Sequence, residues 1–250
     1  MSSSTNINST FFQGSYKHAW RSLNPPGLAE AEVDFIVEIG GLVRDSRVLD
    51  FMCGYGRHAL SLGRRGFEVT AIDNLKDYIE EITSIAKEEN LPLKAVQADA
   101  LNMNLEGSYK AAICMGNSFA FFNKADAISI LKKVSEHLEK DGILIINSWM
   151  VAEIAIKHFK ERDWHYAGDY KCLLEYHYQF HPSRIESEQT IIAPDGSVEI
   201  INGIDYIFTL DELETMFNEV GLKTKALFST PRKRRFSVGD GQIYIVAAKQ

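Results

Sequence analysis

Val48-Leu-Asp-Phe-Met-Cys-Gly-Tyr-Gly-Arg-His-Ala59 is the stretch whose reading decides the fold. It begins as a short apolar run, turns on Gly54 and Gly56, and leads into helical sequence, the order that opens a βαβ unit. Gly54-x-Gly56-x-x-Ala59 also matches the dinucleotide fingerprint, so a NAD-dependent oxidoreductase is the first reading to weigh. Asp50 argues against it. An acid at the mouth of the first strand, four residues before Gly54, would face a pyrophosphate and repel it, whereas a cationic amino group would be held.

Outward from this stretch the pattern alternates between strand and helix. Apolar runs at Arg47–Phe51, Glu68–Asp73, Leu93–Asp99, Ala111–Met115 and Gly142–Asn147 predict five strands. Between them, Leu75, Ile79, Ile82 and Ile85, then Ile128, Leu131, Val134 and Leu138, follow helical spacing. Such a sequence predicts an α/β fold, a Rossmann-like open sheet that is mostly parallel, with helices on both faces. A leading helix is expected over Ala29–Val43, after the turn at Asn24-Pro-Pro-Gly27, and closing strands over Leu222–Phe228 and Gln242–Ala248. Thr209-Leu-Asp-Glu212 reads as a capping box opening a late helix, which Gly221 would end. Before that helix, Lys171–Phe180, Arg184–Ile192 and Ser197–Phe208 alternate as antiparallel strands, with Pro194-Asp-Gly196 as a turn. They predict a small antiparallel β insertion over residues 165–208, serving as a lid or a dimer element.

With these motifs in order, the chain resembles the class I S-adenosylmethionine-dependent methyltransferases of the small-molecule type, from about Ala29 to the C-terminus. The resemblance implies a methyltransferase domain over 29–250, an antiparallel last strand, and a leader over 1–28 that covers the cofactor. It implies that Asp50, Cys53, Gly54, Gly56 and Arg57 surround the methionine part, and that Asp73 with Asn74 takes the ribose. A carboxylate can accept from two vicinal hydroxyls at once, which explains the residue type at 73. Asp99 and Ala100 would read adenine, and Met115, Gly116 and Asn117 would line cofactor and substrate. Tyr16 and Trp20 would lie over the cofactor, as N-terminal aromatics do in small-molecule members. The function implied is methyl transfer from S-adenosyl-L-methionine to N or O of a small-molecule acceptor; the alternative is a non-catalytic S-adenosyl-ligand binding protein.

Composition narrows the partners. The 250 residues carry 27 Lys+Arg against 34 Asp+Glu, a formal charge of −7 that argues against nucleic acid as partner. No apolar run approaches the ~18–20 residues of a membrane span. Cys53, Cys114 and Cys172 lack paired spacing, no metal-ligand cluster is evident, and residues 1–10 read as a frayed leader without signal-peptide character; a cytoplasmic protein is expected. Arg232-Lys-Arg-Arg235 is a candidate for holding an anionic group of the acceptor. His18, His165 and His177, with Tyr176 and Tyr178, are candidates for proton transfer or hydrogen bonding, and no base is assigned among them.

Overall fold

β1 (Arg47–Phe51) lies inside the main sheet, and its alternation sorts the core into two layers. Leu49 and Phe51 face one layer, and Val48 and Asp50 face the other. In the computed structural model, which describes residues 6–250, β1 pairs in parallel with β2 (Glu68–Asp73) and β4 (Tyr109–Cys114). β3 (Leu93–Gln97) and β5 (Leu138–Ser148) extend the parallel part on either side. β11 (Ile243–Lys249) then runs antiparallel to β5, and β10 (Leu222–Phe228) antiparallel to β11, giving seven strands in the order β10-β11-β5-β4-β1-β2-β3. This is the Rossmann-like architecture expected from the sequence.

Helices α2 (Leu28–Gly40), α3 (Arg57–Arg64) and α4 (Lys76–Glu88) cover one face. α5 (Lys124–His137) and α7 (Leu210–Glu219) cover the other. Ile36, Leu62, Ile82 and Leu131 are fully buried in these layers, each worth roughly 1.5–3 kcal/mol of transfer free energy. The capping box at Thr209 and Glu212 forms, with Thr209 Oγ1 accepting from the Glu212 amide at 3.1 Å.

The insertion differs from its sequence reading in extent. It is a four-stranded sheet, β6 (Arg162–Ala167), β7 (Tyr170–Phe180), β8 (Ser183–Ile192) and β9 (Val198–Tyr206), preceded by α6 (Ala152–His158). It therefore starts at Arg162, before residue 165. β6 escaped notice because most of its side chains are exposed, so it carries no apolar alternation.

The N-terminal segment corrects the expectation of a frayed leader. Residues 1–5 lie outside the described residues, but Ile7–Thr10 forms a 3-10 turn capped by Asn6, followed by α1 (Gly14–Ser22). Asn8 is buried and clamps the β9 backbone: its Nδ2 donates to Ile204 O at 2.8 Å, and its Oδ1 accepts from Ile204 N at 2.9 Å. Glu199 accepts from the Ser15 amide at 2.7 Å, and Phe11 packs against Gly203. On its other side α1 reaches α4 through Lys17–Asp77 (3.3 Å) and Arg21–Glu81 (2.6 Å). Asn8→Ala would leave both Ile204 backbone groups unpaired, a loss of roughly 1–3 kcal/mol. Urea denaturation should show that loss, and hydrogen exchange should quicken at residues 6–22.

Candidate cofactor cleft

The glycine turn after β1 builds the floor of a cleft at the C-terminal ends of the parallel strands, where open α/β sheets bind ligands. Asp73, at the end of β2, fixes the turn: its Oδ2 accepts from the Gly54 amide at 2.8 Å and its Oδ1 from Leu75 at 3.0 Å. Gly54 has φ +56, and a Cβ there would project into open space above the turn. Gly56 has a different task. It begins α3 with φ +78, and a Cβ would lie 2.6 Å from Ile82, so its glycine is needed for helix packing.

Arg57 is oriented from behind by Glu32 of α2. That carboxylate is 1% exposed and meets Arg57 Nη1 at 2.6 Å, His58 Nε2 at 2.8 Å and the Tyr244 hydroxyl at 2.8 Å. Burial alone would raise the Glu32 carboxyl, but His58, Arg57 and Tyr244 hold it below the usual carboxylate range. His58 itself is held below the ordinary histidine range by burial.

Asp50 is the reverse case. It is also 1% exposed, yet neither carboxylate oxygen finds a hydrogen-bond partner at normal geometry. Burial pushes its carboxyl up to about 8, reinforced by Asp73 and opposed by Arg57 and the Ala59 backbone. The Tyr78 hydroxyl, on α4, is likewise buried without a partner. Both residues line the cleft, so its wall holds polar atoms that the protein itself leaves unsatisfied.

Most of the residues expected from the sequence meet here. Trp20, Asp50, Cys53, Gly54, Arg57, Asp73, Asn74, Asp99, Ala100, Met115 and Gly116 line the cleft. Gly56, Tyr16 and Asn117 do not. Tyr16 is packed against Phe11 and Phe12 below the cover, with burial pushing its hydroxyl far up. Asn117, at φ +73, is a bracket: its Oδ1 accepts from Ser148 Oγ (2.7 Å) and the Trp149 amide (3.2 Å), and its Nδ2 donates to Asp205 (3.0 Å). Asn74 lines the wall but spends its amide on Ser9 O at 2.8 Å, tying the cover down.

Other candidates are placed elsewhere. His18 and His177 are exposed, and none of His18, His165 and His177 lines the cleft. In the Arg232–Arg235 loop, Lys233 pairs with Glu38 and Arg234 with Asp240 at 2.6 Å, also away from the cleft. Among the wall residues that sequence reasoning missed are Asn6, Asn8, Phe12, Tyr55, His58, Tyr78, Phe121 and Phe122. A tyrosine one residue before Ile79 on the buried helix face was the one available signal.

Residues 48–142 match the model of the methyltransferase domain. The chain is 31% identical over 122 residues to a glycine/sarcosine N-methyltransferase of Halorhodospira halochloris, covering 48% of this chain and 46% of that one. It is 30% identical over 102 residues to the ubiquinone biosynthesis O-methyltransferase of Rickettsia prowazekii, covering 41% and 39%. The chain thus spans less than half the length of these curated relatives. An S-adenosylmethionine-dependent methyltransferase structure from Clostridium acetobutylicum superposes with a TM-score of 0.80 at 16% identity, over 94% of this chain and 96% of that one. Its fold is therefore shared along nearly the whole chain, insertion included.

The cleft fits S-adenosylmethionine on its own geometry. Asp50 is unpaired where a cationic ammonium would satisfy it, and Gly54 leaves open the space a side chain would fill. Such a carboxylate destabilises the ligand-free protein. Its folded pKa, about 8, lies above its unfolded value, so the native state holds an extra proton through the interval between them. Its contribution to stability is therefore present at low pH and lost as pH rises towards 8. Asp50→Asn lacks this slope. Relative to wild type, that variant should gain stability between pH 5 and pH 8.5 in urea titrations, while its affinity for S-adenosylhomocysteine falls. Parallel pH profiles for the two proteins would contradict the placement of the buried charge.

Proposed function

We propose that the protein is an S-adenosylmethionine-dependent methyltransferase that modifies N or O of a small-molecule acceptor. The observation that carries this reading is Asp50, a buried acid without protein partners in a cleft where a cationic amino group would complete it. Asp73 keeps acceptor capacity for ribose hydroxyls beyond its two backbone bonds, and Asp99 with Ala100 stands where the adenine edge would lie. Bound there, S-adenosylmethionine would supply a methyl group on a reactive sulfonium. The chain's own part is alignment and exclusion of water. Phe12, Trp20, Phe121 and Phe122 wall the cleft, and the N-terminal cover and the insertion, which acts as a lid, hold that wall in place.

Relatives acting on nitrogen and on oxygen both support a small acceptor. The cofactor-covering role of residues 6–28 and the lid role of the insertion are parts of the same proposal. So is a cytoplasmic location, which the buried free thiols of Cys53, Cys114 and Cys172 favour. The outer face of the insertion, with Trp164 59%, Tyr166 62%, Val198 61% and Ile200 58% exposed, is the surface for a homodimer contact. No helix among the described residues is long and apolar enough to cross a membrane.

Two measurements test the reading. S-adenosylhomocysteine should raise the melting temperature, and Gly54→Val should abolish the shift by filling the cleft floor. Labelled methyl from S-adenosylmethionine should then appear in the small-molecule fraction of a cell extract. Binding without any transfer would leave a ligand-binding protein, and label in nuclease- or protease-sensitive polymer would rule out a small acceptor.

A further inference from the structure

Asp205, near the end of β9, is a charged residue on the inner face of the insertion for which the cofactor cleft has no use. Tyr178, Ile185 and Asp205 are aligned across β7, β8 and β9, and Ile185 is buried, so this row faces inward. Asn117 Nδ2 donates to Asp205 Oδ1 at 3.0 Å, and no Lys, Arg or His among the described residues forms an ion pair with it. Its charged and titratable surroundings are Tyr16 of α1 and Tyr176 of β7, with Cys172 on the same β7 face. None of these supplies a positive charge. Burial lifts the Asp205 carboxyl to about 7, and the Asn117 bond opposes that rise only in part. Asp205 in turn helps push the Tyr176 hydroxyl up to about 12.

A second cavity lies beside this group, lined not by Asp205 itself but by its cross-strand neighbour Ile185 and by Tyr176. Tyr176 and Ile185 form its insertion side, with Trp149, Met150, Ile154 and Phe159 opposite, and its charged lining is His158 and the Lys160–Asp163 pair, closed on itself at 3.0 Å. Trp149 follows the end of β5, and its ring lies 6.0 Å from Trp20, a wall of the cofactor cleft. Trp149 also donates its amide to Asn117, the residue that holds Asp205. A chamber with a mainly apolar wall, the tryptophan pair and a carboxylate without a counter-charge are therefore joined through one bracket. A hydroxyl offers such a carboxylate one hydrogen bond and no charge. An ammonium offers both, together with favourable contact to the surrounding aromatic faces.

Building on the methyltransferase reading, we propose that Asp205 receives the amino group of the acceptor, which makes the substrate class a small amine with an apolar body. The apolar body occupies the Trp149–Tyr176 chamber, and Asp205 is its binding residue.

Matched probes test this on protein saturated with S-adenosylhomocysteine: benzylamine against benzyl alcohol, and cyclohexylamine against cyclohexanol, with dissociation constants from ligand-observed NMR. Each amine should bind at least about tenfold more tightly than its alcohol, the scale of a charged hydrogen bond. Asp205→Asn, which keeps shape and an acceptor for Asn117, should bring the members of a pair within about twofold, as expected when the charge is gone. Asp205→Glu should keep the preference, since a structural role for residue 205 would not follow charge. Equal behaviour of the paired probes in wild type, absence of binding included, overturns the proposal, as does an amine preference that survives Asp205→Asn. The affinity of S-adenosylhomocysteine, measured in each protein, reports separately on folding and on the cofactor cleft. If wild type fails to bind it, the methyltransferase reading falls as well.

Discussion

The buried carboxylate of Glu32 holds the cofactor half of the molecule in register. It sits on α2 and is met by Arg57 and His58 at the start of α3 and by Tyr244 on β11. A leading helix, the helix after the glycine turn and the last strand of the sheet thus share one acceptor. Breaking such a group apart would strand charges in the interior, which is why buried pairs resist the loss of a single partner. Asp50, close by on the same side of the sheet, shows what the arrangement is for. Both acids are equally buried, yet one is saturated by the protein and its carboxyl is held down, while the other is bare and its carboxyl is pushed up. The contrast separates a carboxylate that the protein saturates from one that it leaves open, the one that carries the proposed function.

A second constraint joins parts of the chain that are remote in sequence. The N-terminal segment lies between the insertion and α4, with Asn8 and Ser15 bonded to β9 on one side, and Lys17 and Arg21 paired with Asp77 and Glu81 on the other. Arg21 also lies 4.7 Å over the ring of Tyr55, in the glycine turn itself. The insertion therefore acts on the cofactor cleft through the segment that it holds, as well as on the chamber next to it. The leader and the insertion are mechanically one unit.

The sheet and most of its strand-end residues were legible because they obey short-range rules. Apolar strands, strand-end acids and a glycine turn each advertise themselves within about six residues. What escaped is polar and non-local. Asn8 stands in a Ser/Thr/Asn-rich stretch indistinguishable from a solvated leader, and its partner is the backbone of residue 204. Glu32 reads as a surface acid of an amphipathic helix until Arg57, His58 and Tyr244 converge on it. β6 is exposed on most of its length, so only its pairing with β7 makes it a strand. Tyr16 was expected over the cofactor from its position alone, but Phe11 and Phe12 draw it under the cover instead.

Gly203 on β9 carries a consequence for how this architecture can be altered. A Cβ there would lie 2.5 Å from the ring of Phe11. The same strand's Ile204 is the residue that Asn8 grips, so size at position 203 and aromaticity at position 11 must change together. Leader and insertion fit each other as a lock and its key. A chimera that imports a foreign insertion will therefore need the matching leader as well.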